Sequence, residues 1–254
     1  MNIFRALKNL YTGENKIALH CSIFALSGML AVAFVNVISV FLGSSIYSVF
    51  ITPKDNELIV YTLTCIMIIF FFAGYNYKYV NSLFKDINSS LPSISMDCFV
   101  IFSKIFFISF TWGIYFLIFC ILASVVFGIT ITKLIFTCIL SPFIIPFTVL
   151  IYILFSQDFK FRKYLFNPIL VFKIIKKTFI PVILILIQLL ILFCILYICF
   201  NYIYRYAFGL KNRFLQLNII LFATCISGYI QEILNLACLR ELTVIVKDKL
   251  IKQS

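Results

Sequence analysis

From Pro181 to Tyr202 the chain reads PVILILIQLLILFCILYICFNY, twenty-two positions without one charged residue. As an α-helix rising about 1.5 Å per residue, this run is about 33 Å long, enough to cross the roughly 30 Å hydrocarbon core of a bilayer. Hydrocarbon offers backbone N–H and C=O groups no water, so a crossing segment must be a helix or part of a closed barrel. A barrel strand needs only about ten residues, which leaves the helix. Five other runs are predominantly apolar, three of them with a single charged residue: Ile17–Phe41, Leu58–Tyr75, Phe99–Phe127, Ile131–Phe155 and Leu215–Leu239. The expectation is an all-α polytopic membrane protein, one domain over residues 1–254 with about six transmembrane helices. Spans three and four are joined only by Gly128–Lys133, GITITK, as a tight hairpin.

Composition agrees. Charged residues are 12% of the 254 positions and apolar ones 63%, against about a quarter and a half in soluble domains. Too little polar surface exists to cover a soluble globule. The nine cysteines lie in or beside apolar runs and form no CxxC pair; they read as small, reduced packing residues. The N-terminal MNIFRALKNLYTGENK lacks the apolar core and cleavage site of a signal peptide, so the first span is expected to act as its own uncleaved signal.

The net charge of +12 gains meaning from where the cations fall. Sixteen of the 21 lysines and arginines lie in the N-tail, the second and fourth connections with their flanks, and the C-tail. Lys54, Lys133, Arg205, Lys211 and Arg213 lie on the other side. Cytoplasmic loops carry the excess of Lys and Arg, so both termini are expected in the cytoplasm of a multi-pass cell-membrane protein. An even number of spans requires the same.

Three stretches combine basic residues with a broad apolar face. In FNPILVFKIIKKTFIP, Asn167 and Pro168 make a cap and first-turn pair, and Lys173, Lys176 and Lys177 share a face at i, i+3, i+4. Such a helix suits the membrane interface, its lysines level with anionic headgroups on the cytoplasmic side. NIFRALKNLY (Ile3, Phe4, Leu7, Leu10, Tyr11) and YNYKYVNSLFKDINSSLP (Tyr77, Val80, Leu83, Phe84, Ile87) repeat the pattern. These are the expected short amphipathic cytoplasmic interfacial helices, each ahead of a two-span hairpin.

Ionisable groups at membrane depth point to function. Glu232 is the strongest candidate, with Lys104 and His20 expected near the same leaflet; the carboxylate could snorkel, pair with Lys104, or serve a solute or proton. Ser227, Gln231 and Asn235 continue a polar stripe beside it, and Gly228 allows close helix approach. Ala25, Gly28, Asn36, Ser39 and Gly43 form a comparable seam in span one. Pro142 and Pro146, four apart in span four, each remove a backbone hydrogen bond and suggest a kinked helix.

A single histidine excludes His-based metal and protease motifs, and no GxxxxGK[ST], GxGxxG or GxSxG occurs. No metal, cofactor, catalytic residue or nucleic-acid partner is expected, and an enzyme is disfavoured.

Three segments, AGYNYKYVNSLFKDINSSLP, FNPILVFKIIKKTF and ISGYIQEILNLACLREL, together resemble an uncharacterised prokaryotic family of six-helix integral membrane proteins, a domain of unknown function akin to the membrane domains of some glycerophosphodiester phosphodiesterases. That family often has an acidic or glycine-rich turn before Leu-Pro, where this chain has Asn88-Ser89-Ser90. The resemblance implies a six-helix fold and supplies no catalytic residues. Two functions fit: a non-enzymatic membrane domain that organises lipids or partner proteins, or a permease subunit energised by a partner chain such as an ATPase.

Overall fold

The computed structural model describes residues 3–11, 16–41, 55–87, 89–128, 141–161 and 163–251. Among these there is no strand. The helices are α1 (Ile3–Leu10), α2 (Lys16–Phe41), α3 (Asp55–Lys85), α4 (Asp97–Phe127), α5 (Ser141–Phe155), α6 (Pro168–Phe208) and α7 (Arg213–Ile251), with a 3-10 turn at Lys163–Phe166. Four segments are long and apolar enough to cross a membrane: Glu57–Lys85, Asp97–Val126, Thr178–Phe208 and Phe214–Asp248. Shorter apolar helical segments occupy Lys16–Leu30 and Pro146–Phe155. The protein is an all-α membrane protein. Residues 131–140 of the expected fourth span lie outside the described residues, as do Gly43, Asn88 and the side chains of Asn36, Ser39, Pro142 and Lys177.

Four helices outrun the bilayer. α3 and α4 have 31 residues each, α6 has 41 and α7 has 39, or about 46, 61 and 58 Å at 1.5 Å per residue. The amphipathic stretches at Tyr77–Lys85 and Pro168–Phe179 are therefore continuous with the spans beside them, whereas α1 is a separate helix. Continuity has a local cause in α3, where Gly74-Tyr75-Asn76 contains no proline and the helix simply continues. In α6, Pro181 is accommodated inside the helix. The Asn167 cap forms as its sequence indicates: Oδ1 accepts the Ile169 N–H at 3.0 Å. In α5, Pro146 is buried inside the helix while Pro142 falls in the first described turn.

The chain divides into two compact units. The first comprises Gly74–Leu186 and Leu239–Ser254. Its centre is the connection from α3 to α4. Gly74 lies so close to the start of α4 that a Cβ placed on it would stand 1.8 Å from the Cys98 carbonyl oxygen. One residue on, buried Tyr75 donates its hydroxyl to the Pro92 carbonyl at 3.1 Å. A helix C-terminus leaves carbonyls without partners, and here cations supply the donors. Lys247 Nζ reaches the Phe84 and Leu83 carbonyls at 2.8 and 3.3 Å, and Arg240 Nη2 reaches that of Ile87 at 3.0 Å. Lys78 Nζ binds the Ser93 carbonyl at 3.1 Å and Ser95 Oγ at 2.6 Å, with Asp97 at 3.8 Å. The Asn81 amide closes the end of α5 on the Ser156 and Gln157 carbonyls, 2.8 and 3.1 Å away. Trp112, the one tryptophan, donates to the Leu165 carbonyl at 3.0 Å and so holds the 3-10 turn against α4.

The second unit comprises Asn2–Ala73 and Ile187–Cys238. Here α2 and α7 meet through small residues. A Cβ on Gly28 would sit 3.1 Å from Cys225 Sγ, and one on Gly228 would sit 3.4 Å from Ser27 Cβ. Close backbone approach of this kind substitutes for a hydrophobic drive inside lipid. The seam on α2 runs through Ser27 and Gly28, whereas Ala25 is exposed.

The glycines give a paired prediction. Gly74→Ala forces backbone against backbone and should destabilise the detergent-purified protein by about 1–3 kcal/mol, the usual range for overpacking. Gly113→Ala, with nothing within 4 Å of its Cβ, should be neutral or stabilise by up to about 1 kcal/mol. Thermal unfolding of the two variants side by side checks both.

Candidate functional site

Within the second unit a cavity of about 380 Å³ opens between α2, α3 and α7. Each helix contributes residues one turn apart, as a 3.6-residue period requires. α7 supplies Thr224, Ser227, Gly228, Gln231, Glu232 and Asn235, α2 supplies Ser27 and Leu30, and α3 supplies Ile69 and Phe72. Glu232 is only 9% exposed. Ser227 and Asn235 are half-buried and Gln231 is exposed, so the polar stripe grades from a dry side to an open one. Thr224 is turned toward α6: its hydroxyl donates to the Ile220 carbonyl at 2.7 Å and meets the Tyr204 hydroxyl at 3.0 Å. Ser27 is 3% exposed and its Oγ makes no hydrogen bond among the described residues. The arrangement is chemically a pocket of hydroxyl and amide groups beside one carboxyl, with Leu30, Ile69 and Phe72 as its apolar wall.

The stripe Ser227, Gln231, Glu232, Asn235 expected from the sequence is thus assembled in one place. His20 stands apart from it, two helical turns before Ser27 on α2, about 10 Å along the axis. Its Nε2 lies 3.3 Å from the Leu10 carbonyl and its Nδ1 lies 2.9 Å from the Tyr229 hydroxyl. A carbonyl only accepts, so Nε2 carries the proton that faces Leu10, while Nδ1 bonds the Tyr229 hydroxyl. Tyr11 stacks on the imidazole with centroids 4.4 Å apart, and its hydroxyl meets that of Tyr229 at 3.3 Å. The histidine is the rivet that fastens α1 to α2 and α7. Lys104 belongs to the other unit, half-buried on α4.

Ser27, Leu30, Ile69, Phe72 and Thr224 join the site without having been singled out in the sequence. Thr224 was legible, lying one turn before Ser227 and Gly228. The others depend on which helices pair, which no single apolar run records. A second cavity of about 220 Å³ lies in the first unit, between α4 and α5 beside Trp112 and Phe147. Its polar edge is the hydroxyl pair of Ser109 and Tyr152.

Comparison of the chain with protein-family models, with curated proteins and with solved structures finds no match.

The rivet can be tested. Tyr229→Phe removes the hydroxyl shared by His20 and Tyr11 and should cost about 1 kcal/mol, the usual net value of one such bond. Trypsin should then cut faster at Arg5 and Lys8 in α1; an unchanged cleavage rate would show that α1 is held by other contacts.

Proposed function

We propose that this chain is a non-enzymatic integral membrane domain, six-spanning with both termini in the cytoplasm, that gathers anionic lipids at its cytoplasmic face. One observation carries the reading. Lys173 and Lys176 are exposed in the first turns of α6, between the exposed Ile169 and Ile180, immediately before the apolar window that begins at Thr178. Cations set among exposed apolar residues at the mouth of a span match the level of the headgroups. The orientation draws support from the first unit, where Lys78, Arg240 and Lys247, assigned to the cytoplasmic side by charge bias, converge on one connection.

Each lysine near an anionic surface contributes about 1 kcal/mol. Lys173, Lys176 and Lys177 changed together to Gln should therefore lower the enrichment of phosphatidylglycerol around the full-length protein in mixed-lipid nanodiscs at least severalfold. Raising the salt should erase the difference from wild type. Equal enrichment in wild type and variant, insensitive to salt, would end the lipid-gathering reading.

The cavity favours a second reading, a permease subunit that moves a solute past Glu232 with energy from a partner chain. Glu232→Gln should then abolish flux in reconstituted vesicles while leaving the midpoint of thermal unfolding within a few degrees. Flux that survives the change would discard this reading.

A further inference from the structure

The cavity between α2, α3 and α7 has a chemical bias that names its ligand class. Its described lining holds one carboxyl (Glu232), two amides (Gln231 and Asn235) and the hydroxyls of Ser27 and Ser227, with that of Thr224 engaged toward α6, and no cationic side chain. An anion would meet the Glu232 carboxylate in a described lining that offers it no cationic side chain. Hard divalent cations prefer several carboxylates or retained water, and among the described residues no three His, Cys, Asp or Glu side chains converge. Quaternary ammonium groups are recognised by aromatic cages, whereas Phe72 is the single ring in the described lining. A primary ammonium group carries three N–H donors. It matches a carboxylate surrounded by amide and hydroxyl oxygens.

The apolar wall sharpens the match. A bare monovalent ion leaves most of a space of about 380 Å³ unused, since a water molecule takes roughly 30 Å³. Leu30, Ile69 and Phe72 form a wall suited to a short carbon chain attached to the ammonium group. Ser27 adds an independent sign: its Oγ is buried at the seam and has no hydrogen-bond partner among the described residues, and an unfilled acceptor or donor in a dry site carries a penalty of about 1–3 kcal/mol. A ligand N–H would fill it.

We propose that this cavity binds a primary alkylammonium group, with Glu232 as the charged acceptor and Ser27, Gln231 and Asn235 as neutral ones. Two sources present that chemistry: the ethanolamine headgroup of a phospholipid and a free amine in solution. The site deepens the permease reading by naming a solute class, yet it does not require flux. An amine that binds without crossing would discard the permease and leave the site intact.

The test uses the full-length protein in nanodiscs of phosphatidylcholine and phosphatidylglycerol. These are titrated with n-butylammonium chloride and read by the midpoint of thermal unfolding, with 1-butanol, tetramethylammonium and sodium chlorides as matched controls. Butylammonium should give a saturable stabilisation larger than any control. The half-saturating concentration should rise about tenfold or more in Glu232→Gln, as loss of a charge-assisted bond implies. Ser27→Ala, which keeps Cβ at the helix seam, should raise it about threefold and stands in if the first variant does not fold. Replacing phosphatidylcholine with phosphatidylethanolamine separates the sources: weaker apparent butylammonium binding assigns the site to the lipid headgroup, and unchanged binding assigns it to free amines. Equal responses to butylammonium and butanol, a larger response to sodium, no saturable response, or a response that both variants leave unchanged would each overturn the proposal.

Discussion

Hydrocarbon forms no hydrogen bonds, and that single deficiency orders this structure. Along the spans the helix ladder satisfies the backbone internally. The difficulty moves to the places where helices end, and above all to the connection between α3 and α4. There the carbonyls of Leu83, Phe84, Ile87, Pro92 and Ser93 are answered by side chains of Lys247, Arg240, Tyr75 and Lys78. The cations that the sequence expectation assigns to one side of the membrane also answer the carbonyls at this helix end. Charge asymmetry and backbone satisfaction are here one device seen at two scales.

Small residues make the second scale possible. Gly74 lets α3 press against the Cys98 carbonyl, and Gly28 and Gly228 let α2 and α7 close on Cys225 and Ser27. Close approach of backbones replaces the hydrophobic drive that lipid cannot provide. It also sets the width of the cavity, because Ser27 and Gly228 both touch the seam and line the space beside it. A site inside a helix bundle is in this sense a by-product of how the bundle closes, and Ser27, Ser227, Gln231 and Glu232 lie within about one turn of the glycines that shape it.

The apolar runs carried the fold class in full, since a window of about twenty residues has few other uses. The Asn167 cap and the stripe Ser227, Gln231, Glu232, Asn235 were also legible, because both depend on spacing within one helix. At the two ends of the segment 74–92, the Tyr75 bond to the Pro92 carbonyl joins what sequence spacing keeps apart. What the sequence could not give was phase between helices. Ala25 and Ser27 are equally small, yet only Ser27 faces α7. Depth alone groups His20 with Glu232, whereas two turns of α2 and the hydroxyl of Tyr229 give the histidine a different task. Nor does an amphipathic stretch announce whether it breaks from its span. Tyr77–Lys85 and Pro168–Phe179 continue theirs because no residue there forces a break.

The account stands or falls on α6 crossing the membrane with its basic end inside. In a cysteine-free background, single cysteines at the exposed positions Lys160 and Lys211, which flank α6, can be reacted with a membrane-impermeant maleimide in intact cells and in inverted vesicles. The account predicts that the cysteine at 211 reacts only from outside and the one at 160 only from the cytoplasmic face. Reaction of both from the same side would contradict it.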